Sequence, residues 1–118
     1  MSEERIVVYE KPTCTTCRRL SRMLRERGIE FDAIDYTIDP ISREKLVELT
    51  RKMGISPREL LRKREEIYKT LDLGRPDATD DEILDAMAEH PTLVQRPIVE
   101  RGDRAVLARP PEKVEEIL

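Results

Sequence analysis

The spacing of hydrophobic and polar positions changes period several times along the chain, and each change marks an element. "RIVVYE" (5–10) is a β-branched and aromatic run halted by Lys11-Pro12, which predicts a strand followed by a loop. Beyond the loop, Cys17, Leu20, Met23 and Leu24 recur at helical spacing, and Gly28 stands where a helix C-terminus belongs. In "IEFDAIDYTI" (29–38), Ile29, Phe31 and Ala33 alternate before Ile34 and Tyr36 shift the phase, predicting a second strand. With a helix between them, the two strands should run parallel, joined by a right-handed crossover.

The middle of the chain switches to helical periodicity. Ser42 can cap a helix carrying Leu46, Val47, Leu49 and Met53, with Gly54 ending it. "SPRE" (56–59) combines an N-cap serine, a first-turn proline and a capping-box glutamate, a strong local start signal. Thr79 and Glu82 repeat the capping box ahead of Ile83, Leu84 and Met87, and that helix should stop near His90-Pro91. Two or three helices are therefore expected over residues 42 to 90. "RPIVERGDRAVLARP" (96–110) reads as a hairpin, Pro97-Ile98-Val99 and Ala105-Val106-Leu107 flanking a turn at Gly102-Asp103. "PPEKVEEIL" closes the chain as a predicted helix with Val114, Ile117 and Leu118 on one face. The order is β-α-β, a helical insertion, then β-β-α, an α/β fold around one mixed sheet.

Composition narrows the function classes. At 118 residues and 38% hydrophobic, the chain is expected to form one domain over 1–118. Charged residues make up 40%, yet the signs nearly cancel to −3, so nothing global draws the protein to nucleic acid or an anionic membrane. Aromatic residues, at 3%, offer little for stacking on bases. "MSEERIVVYE" lacks the apolar core of a signal peptide, and no stretch approaches the roughly 18 apolar residues of a membrane span, so a cytoplasmic location is expected. A monomer is expected too, since no long apolar stripe is left over.

Both cysteines lie in "KPTCTTCRRL" (11–20). In a reducing compartment such a pair points to catalysis or metal binding rather than a permanent staple. Cys14 falls at a predicted helix N-terminus, where free N–H groups favour a thiolate or a bound oxyanion. Arg18, Arg19, Arg22, Arg25 and Arg27 surround it with only Glu26 opposing. Lowering a thiol pKa from about 8.5 to about 6.5 would raise its ionised fraction at neutral pH from a few per cent to roughly three-quarters. Residues i and i+3 on a helix have Cα atoms about 5 Å apart, within disulfide reach, so Cys17 can resolve an adduct on Cys14. Such a bond closes only a tiny loop, which makes a redox role a better explanation than cross-linking. Packing is an equal explanation for Cys17 alone, which shares a face with Leu20 and Leu24. A metal site is not expected, because the one histidine, His90, lies at a helix end where capping is the simpler role. A C-x-x-C beside a βαβ pattern remains a redox signal.

With "LLRK" (60–63), "HP" (90–91), "QRPIV" (95–99) and "ARP" (108–110) following the cysteine motif, the sequence resembles the ArsC/Spx family of arsenate reductases and their relatives from about residue 5 to 118. The resemblance implies a thioredoxin-like fold with a helical insertion. It also implies a nucleophilic Cys14, an oxyanion site built by Arg62, Arg96 and Arg109, Arg18 as an auxiliary residue, and a cis Arg96-Pro97 peptide. Arsenate is the implied substrate, with no bound cofactor and with glutathione/glutaredoxin or thioredoxin as reductant. Forked guanidinium groups and helix N-terminal amides suit a tetrahedral, doubly charged oxyanion.

Two positions depart from the family pattern. Glutaredoxin-coupled members commonly have a non-cysteine residue where Cys17 stands, whereas Spx-type relatives use an internal disulfide. Glu10 occupies the place of a histidine thought to help ionise the nucleophile, and a nearby carboxylate opposes ionisation, with Lys11 and the arginines available to offset it. Three function classes follow. An arsenate-reductase-like enzyme leads. An Spx-like redox regulator that binds RNA polymerase is favoured by Cys17 and Glu10 but opposed by the arginine of "ARP". A general thiol-disulfide oxidoreductase acting on proteins is opposed by Thr15 and Thr16, where thioredoxins carry aromatic residues.

Overall fold

Four strands pair in the order β2-β1-β3-β4 in the computed structural model, which describes residues 4–118. They are β1 (Ile6–Glu10), β2 (Asp32–Asp35), β3 (Ile98–Arg101) and β4 (Arg104–Leu107). β1 runs parallel to β2 in the register Val8↔Ala33 and antiparallel to β3 in the register Val8↔Val99, and β4 pairs antiparallel with β3. Helix α1 (Thr15–Glu26) makes the crossover between β1 and β2. This is the mixed sheet of a thioredoxin-like fold. By its internal contacts the chain divides into two compact units, one formed by residues 1–39 with 96–118 and the other by 40–95.

The first unit is organised by periodicity. Along α1, Cys17, Leu20 and Leu24 are buried at i, i+3 and i+7. Leu20 and Leu24 meet Ile6 and Val8 of β1, Val99, Val106 and Ala108 from the hairpin, and Val114 and Ile117 from the C-terminal segment. Gly28, at φ +69°, lets the chain leave the helix while the Ile29 N–H returns to the Leu24 carbonyl at 2.9 Å. Leu20 is fully buried at the centre of this cluster. Leu20→Ala should lower stability by about 2–5 kcal/mol, read as a shifted denaturant midpoint at unchanged m-value. A shift under a few tenths of that would mean the cluster does not hold α1 in place.

In the second unit, α2 (Arg43–Met53) starts at Ser42, whose hydroxyl accepts the Lys45 N–H at 3.1 Å, and ends at Gly54 in the left-handed conformation. α3 (Glu66–Thr70) is a single short turn, and α4 (Asp80–Glu89) is capped by Thr79, which accepts the Glu82 N–H at 3.2 Å. Leu46, Leu49, Leu60, Ile83, Met87 and Leu93 are buried here.

Three elements differ from the sequence pattern. The capping box of "SPRE" forms, yet it opens only a 3₁₀ turn over Pro57–Leu60. The chain straightens at once because Arg62 N–H bonds to the Leu93 carbonyl at 2.8 Å and Gln95 N–H to the Leu60 carbonyl at 2.9 Å, a strand-like Leu61↔Val94 bridge that a continuing helix could not make. β2 covers only 32–35 of the expected 29–38, because Asp35 accepts the backbone and hydroxyl hydrogens of Thr37 and turns the chain. The C-terminal segment is a 3₁₀ helix over Pro111–Ile117 rather than an α-helix. With three residues per turn, Val114 and Ile117 eclipse on one face, so this geometry buries both. No helix among the described residues is long and apolar enough to cross a membrane.

Candidate active site

The loop after β1 delivers Cys14 to the start of α1. Its N–H bonds to the Lys11 carbonyl at 2.9 Å, closing a turn, and its own carbonyl accepts the Arg18 N–H at 3.0 Å as the first helical bond. Cys14 is therefore the N-cap of α1, in extended conformation at φ −79° and ψ 127°. The Cys14 side chain forms no cap hydrogen bond of full geometry, yet its thiolate is stabilised from the helix end and from Arg96. Four donors reach it: the N–H groups of Thr16 and Cys17, the Cys17 thiol and the Arg96 guanidinium. Burial pushes the Cys14 thiol up, but these donors outweigh it and bring the pKa down to about 7. Roughly half of the sulfur is then thiolate at neutral pH.

Cys17 behaves oppositely. It is fully buried on the inner face of α1, and burial, opposed by a backbone bond from Lys11 and reinforced by the adjacent Cys14 charge, holds its pKa up at about 12. Both residues are free thiols, with Cys17 donating to Cys14. Glu10, at the end of β1, has its carboxyl raised by burial, with Arg25 pulling the other way and Asp35 adding to the rise.

Arg96 is only 8% exposed, a buried cation. Its Nη1 donates to the hydroxyl of Tyr36 at 3.4 Å, its guanidinium also reaches Cys14, and its Nε has no hydrogen-bond partner among the described residues. An N–H of this kind costs about 1–3 kcal/mol when left unmet. Arg109 is tied to the same place by its Nη1, which donates to the Arg96 carbonyl at 3.1 Å. Both arginines stand immediately before cis prolines, Pro97 and Pro110. Cys14, Arg96 and Arg109 are thus brought together in one unit.

The remaining sequence-predicted residues lie as follows. Arg62 belongs to the second unit, where Nη1 donates to Gln95 Oε1 at 3.2 Å and Nε faces Glu65 at 3.5 Å. Arg18 is exposed on α1 and contributes its backbone N–H to the Cys14 carbonyl. His90 is the C-cap of α4, its N–H bonded to the Ala86 carbonyl at 2.8 Å. No group of three or more His, Cys, Asp or Glu among the described residues is arranged to hold a metal ion.

Sequence reasoning missed Tyr36. The only available signal was the phase break at Ile34 and Tyr36, since a buried tyrosine needs a partner for its hydroxyl. It also weighted the arginines of α1 too heavily. The largest lowering effects on Cys14 come from helix N–H groups, Arg96 and Cys17, while Arg19 and Arg27 are engaged with Glu112 and Glu115 of the C-terminal segment.

Comparison with known proteins agrees with this geometry. A model of the ArsC family matches residues 9–117. Arsenate reductases from Acidiphilium multivorum and Escherichia coli are each 44% identical over 113 residues, covering 96% of this chain and 80% of theirs. One from Haemophilus influenzae is 36% identical over 114 residues, covering 96% of this chain and 98% of its own. The solved structure of an arsenate reductase from Vibrio cholerae superposes with a TM-score of 0.94 at 39% identity, covering 99% of this chain and all of that one. A cysteine at the cap of the crossover helix, arginines ahead of two prolines beside it, and matches that span nearly the whole sequence lead to one assignment: the chain belongs to the ArsC family.

Proposed function

We propose that this protein reduces arsenate to arsenite, with Cys14 as nucleophile and an external thiol as reductant. The observation that carries the reading is the Cys14 sulfur at the α1 N-terminus within reach of the buried Arg96 guanidinium, with its pKa brought down to about 7. The Cys14 thiolate attacks arsenic, a sulfur–arsenic bond forms, and one arsenate oxygen takes up two protons and leaves as water. Arg96, Arg109 and the helix N–H groups neutralise the oxyanion's charge during this step.

A thiolate from solution then attacks the Cys14 sulfur. The new sulfur–sulfur bond releases the sulfur–arsenic electron pair to arsenic, which becomes arsenic(III) and leaves as arsenite. A second thiol, or a glutaredoxin or thioredoxin, clears the mixed disulfide. Burial and a high pKa make Cys17 a poor attacking group, so its role in this scheme is to donate its thiol hydrogen to Cys14.

Arsenate-dependent NADPH oxidation in the presence of glutathione, glutaredoxin and glutathione reductase tests the activity; no arsenate-dependent rate with either glutaredoxin or thioredoxin would overturn it. Cys17→Ser, which keeps a donor, should retain the glutathione-dependent kcat within about threefold, whereas a loss beyond about a hundredfold would make Cys17 the resolving thiol. The family resemblance assigns a third guanidinium to Arg62. Arg62→Gln is accordingly expected to raise the KM for arsenate about tenfold with little change in kcat, as loss of one charge-assisted bond would. An unchanged KM would remove Arg62 from the site.

A further inference from the structure

The five arginines of α1 divide into two sets. Arg19 pairs with Glu112 at 3.2 Å and Arg27 pairs with Glu115, both in the C-terminal segment. Arg18, Arg22 and Arg25 are exposed and make no ion pair or side-chain hydrogen bond among the described residues. They follow Cys14 at i+4, i+8 and i+11, a row along one face of the helix. They line a groove of about 390 Å³ whose other walls include Glu10, Glu26 and Pro12, the last just two residues before the nucleophile.

We infer that this groove binds the small-molecule thiol co-substrate, a tripeptide of the glutathione class, by its carboxylates. The inference rests on the proposed thiol-dependent reduction and adds the place where the thiol docks. With a rise of about 1.5 Å per residue, Arg18 lies about 6 Å and Arg22 about 12 Å along the axis from Cys14. Helical side chains lean toward the N-terminus, so both guanidinium groups tilt toward the nucleophile. A tripeptide thiol carries its two carboxylates one or more residue lengths, roughly 4–8 Å, from its sulfur. Anchored on Arg18 and Arg22, it presents that sulfur to Cys14 from the helix side, leaving Arg96 and Arg109 to the arsenic oxyanion. Arg18 and Arg22, without ion-pair partners among the described residues, and Arg25, which faces the Glu10 charge, stand beside a nucleophile whose own anion site is supplied by other residues, and so suit a second anion.

Disulfide exchange separates this inference from the arsenate reaction. In it, the Cys14 thiolate attacks glutathione disulfide, forming the Cys14 mixed disulfide and expelling one glutathione thiolate. The triple variant Arg18→Gln, Arg22→Gln, Arg25→Gln should slow this step about tenfold, as loss of two or three exposed charge contacts predicts. Its rate with the uncharged disulfide of 2-mercaptoethanol should change less than twofold. The double variant Arg19→Gln, Arg27→Gln, which alters paired arginines, should match the parent with both probes. In turnover, the triple variant should raise the KM for glutathione and leave the KM for arsenate unchanged. Equal slowing with charged and uncharged disulfides, no slowing at all, or slowing confined to reduction by glutaredoxin would overturn the groove. Absence of arsenate turnover in the parent would overturn the proposed activity while leaving the exchange result readable.

Discussion

Replacing Cys14 by serine is expected to abolish arsenate turnover, lowering kcat by on the order of 10⁴ or more. The helix N–H groups, the Cys17 thiol and Arg96 bring a thiol to a pKa of about 7. The same donors act on a hydroxyl that starts many units higher and leave it neutral at any working pH. Serine is smaller by little, sits at an N-cap position that favours it, and can accept the same backbone N–H groups. The variant should therefore fold at least as well as the parent, and lost activity cannot be charged to lost structure. Its arsenate affinity should survive in large part, because Arg96 and Arg109 remain. A coupled NADPH assay gives the rate, and the midpoint of thermal unfolding gives the control. Residual turnover above about a hundredth of the parent rate would place the nucleophile elsewhere.

How far that chemistry was legible follows from how local each cause is. α1 could be placed from the sequence because its signals, the apolar positions Cys17, Leu20 and Leu24 and the terminating Gly28, lie within 12 residues. The hairpin was equally plain, since Gly102 adopts φ +60° between two β-branched runs. "SPRE" closes its capping box in both directions while Thr79 makes only the bond from Glu82 N–H, yet only α4 became a full helix. The difference is the Leu61↔Val94 bridge, made across more than thirty residues, which no local pattern encodes.

The site divides the same way. Cys14 could be singled out from its motif, its helix N-terminal N–H groups were legible as a cause of the lowered thiol pKa, and the resemblance pointed to Arg96 and Arg109, but the cationic part of that cause was misplaced. Sequence proximity suggested the arginines of α1; space supplies Arg96, which lies more than eighty positions away and is seated by Tyr36, sixty positions from it. Glu10 had been expected to oppose ionisation of Cys14. Its charge acts on Cys17, where it adds to a pKa that burial already raises. Glu10 thereby helps keep protonated the thiol that the proposed mechanism uses as a donor.

Arg96→Gln should produce the second large effect, and it should appear in two observables at once. The parent's Cys14 titrates near pH 7, so its alkylation rate by uncharged iodoacetamide should rise about tenfold per pH unit below that value and level off above it. Removing the Arg96 cation takes away a donor that favours the thiolate, and the sign is fixed: the midpoint moves up, by about one unit for one lost charge-assisted hydrogen bond. At pH 7 this alone cuts the reactive fraction about fivefold. The same guanidinium is expected to meet the arsenate oxyanion as its charge is redistributed, a contribution of about 3 kcal/mol, or a further 10² in kcat/KM. Together these give a loss of roughly 10²–10³. Tyr36→Phe separates the parts. It leaves the cation in place but removes the hydroxyl that seats it at 3.4 Å, so a smaller upward shift of the same midpoint is expected, with an unfolding transition close to the parent's. Arg96→Lys should restore most of the titration midpoint and little of the kcat/KM, because a point charge favours the thiolate but cannot reproduce a forked contact to an oxyanion. If Arg96→Gln left the alkylation midpoint near pH 7, the thiolate would owe its stability to the α1 N–H groups and Cys17, and Arg96 would have no part in activating the nucleophile.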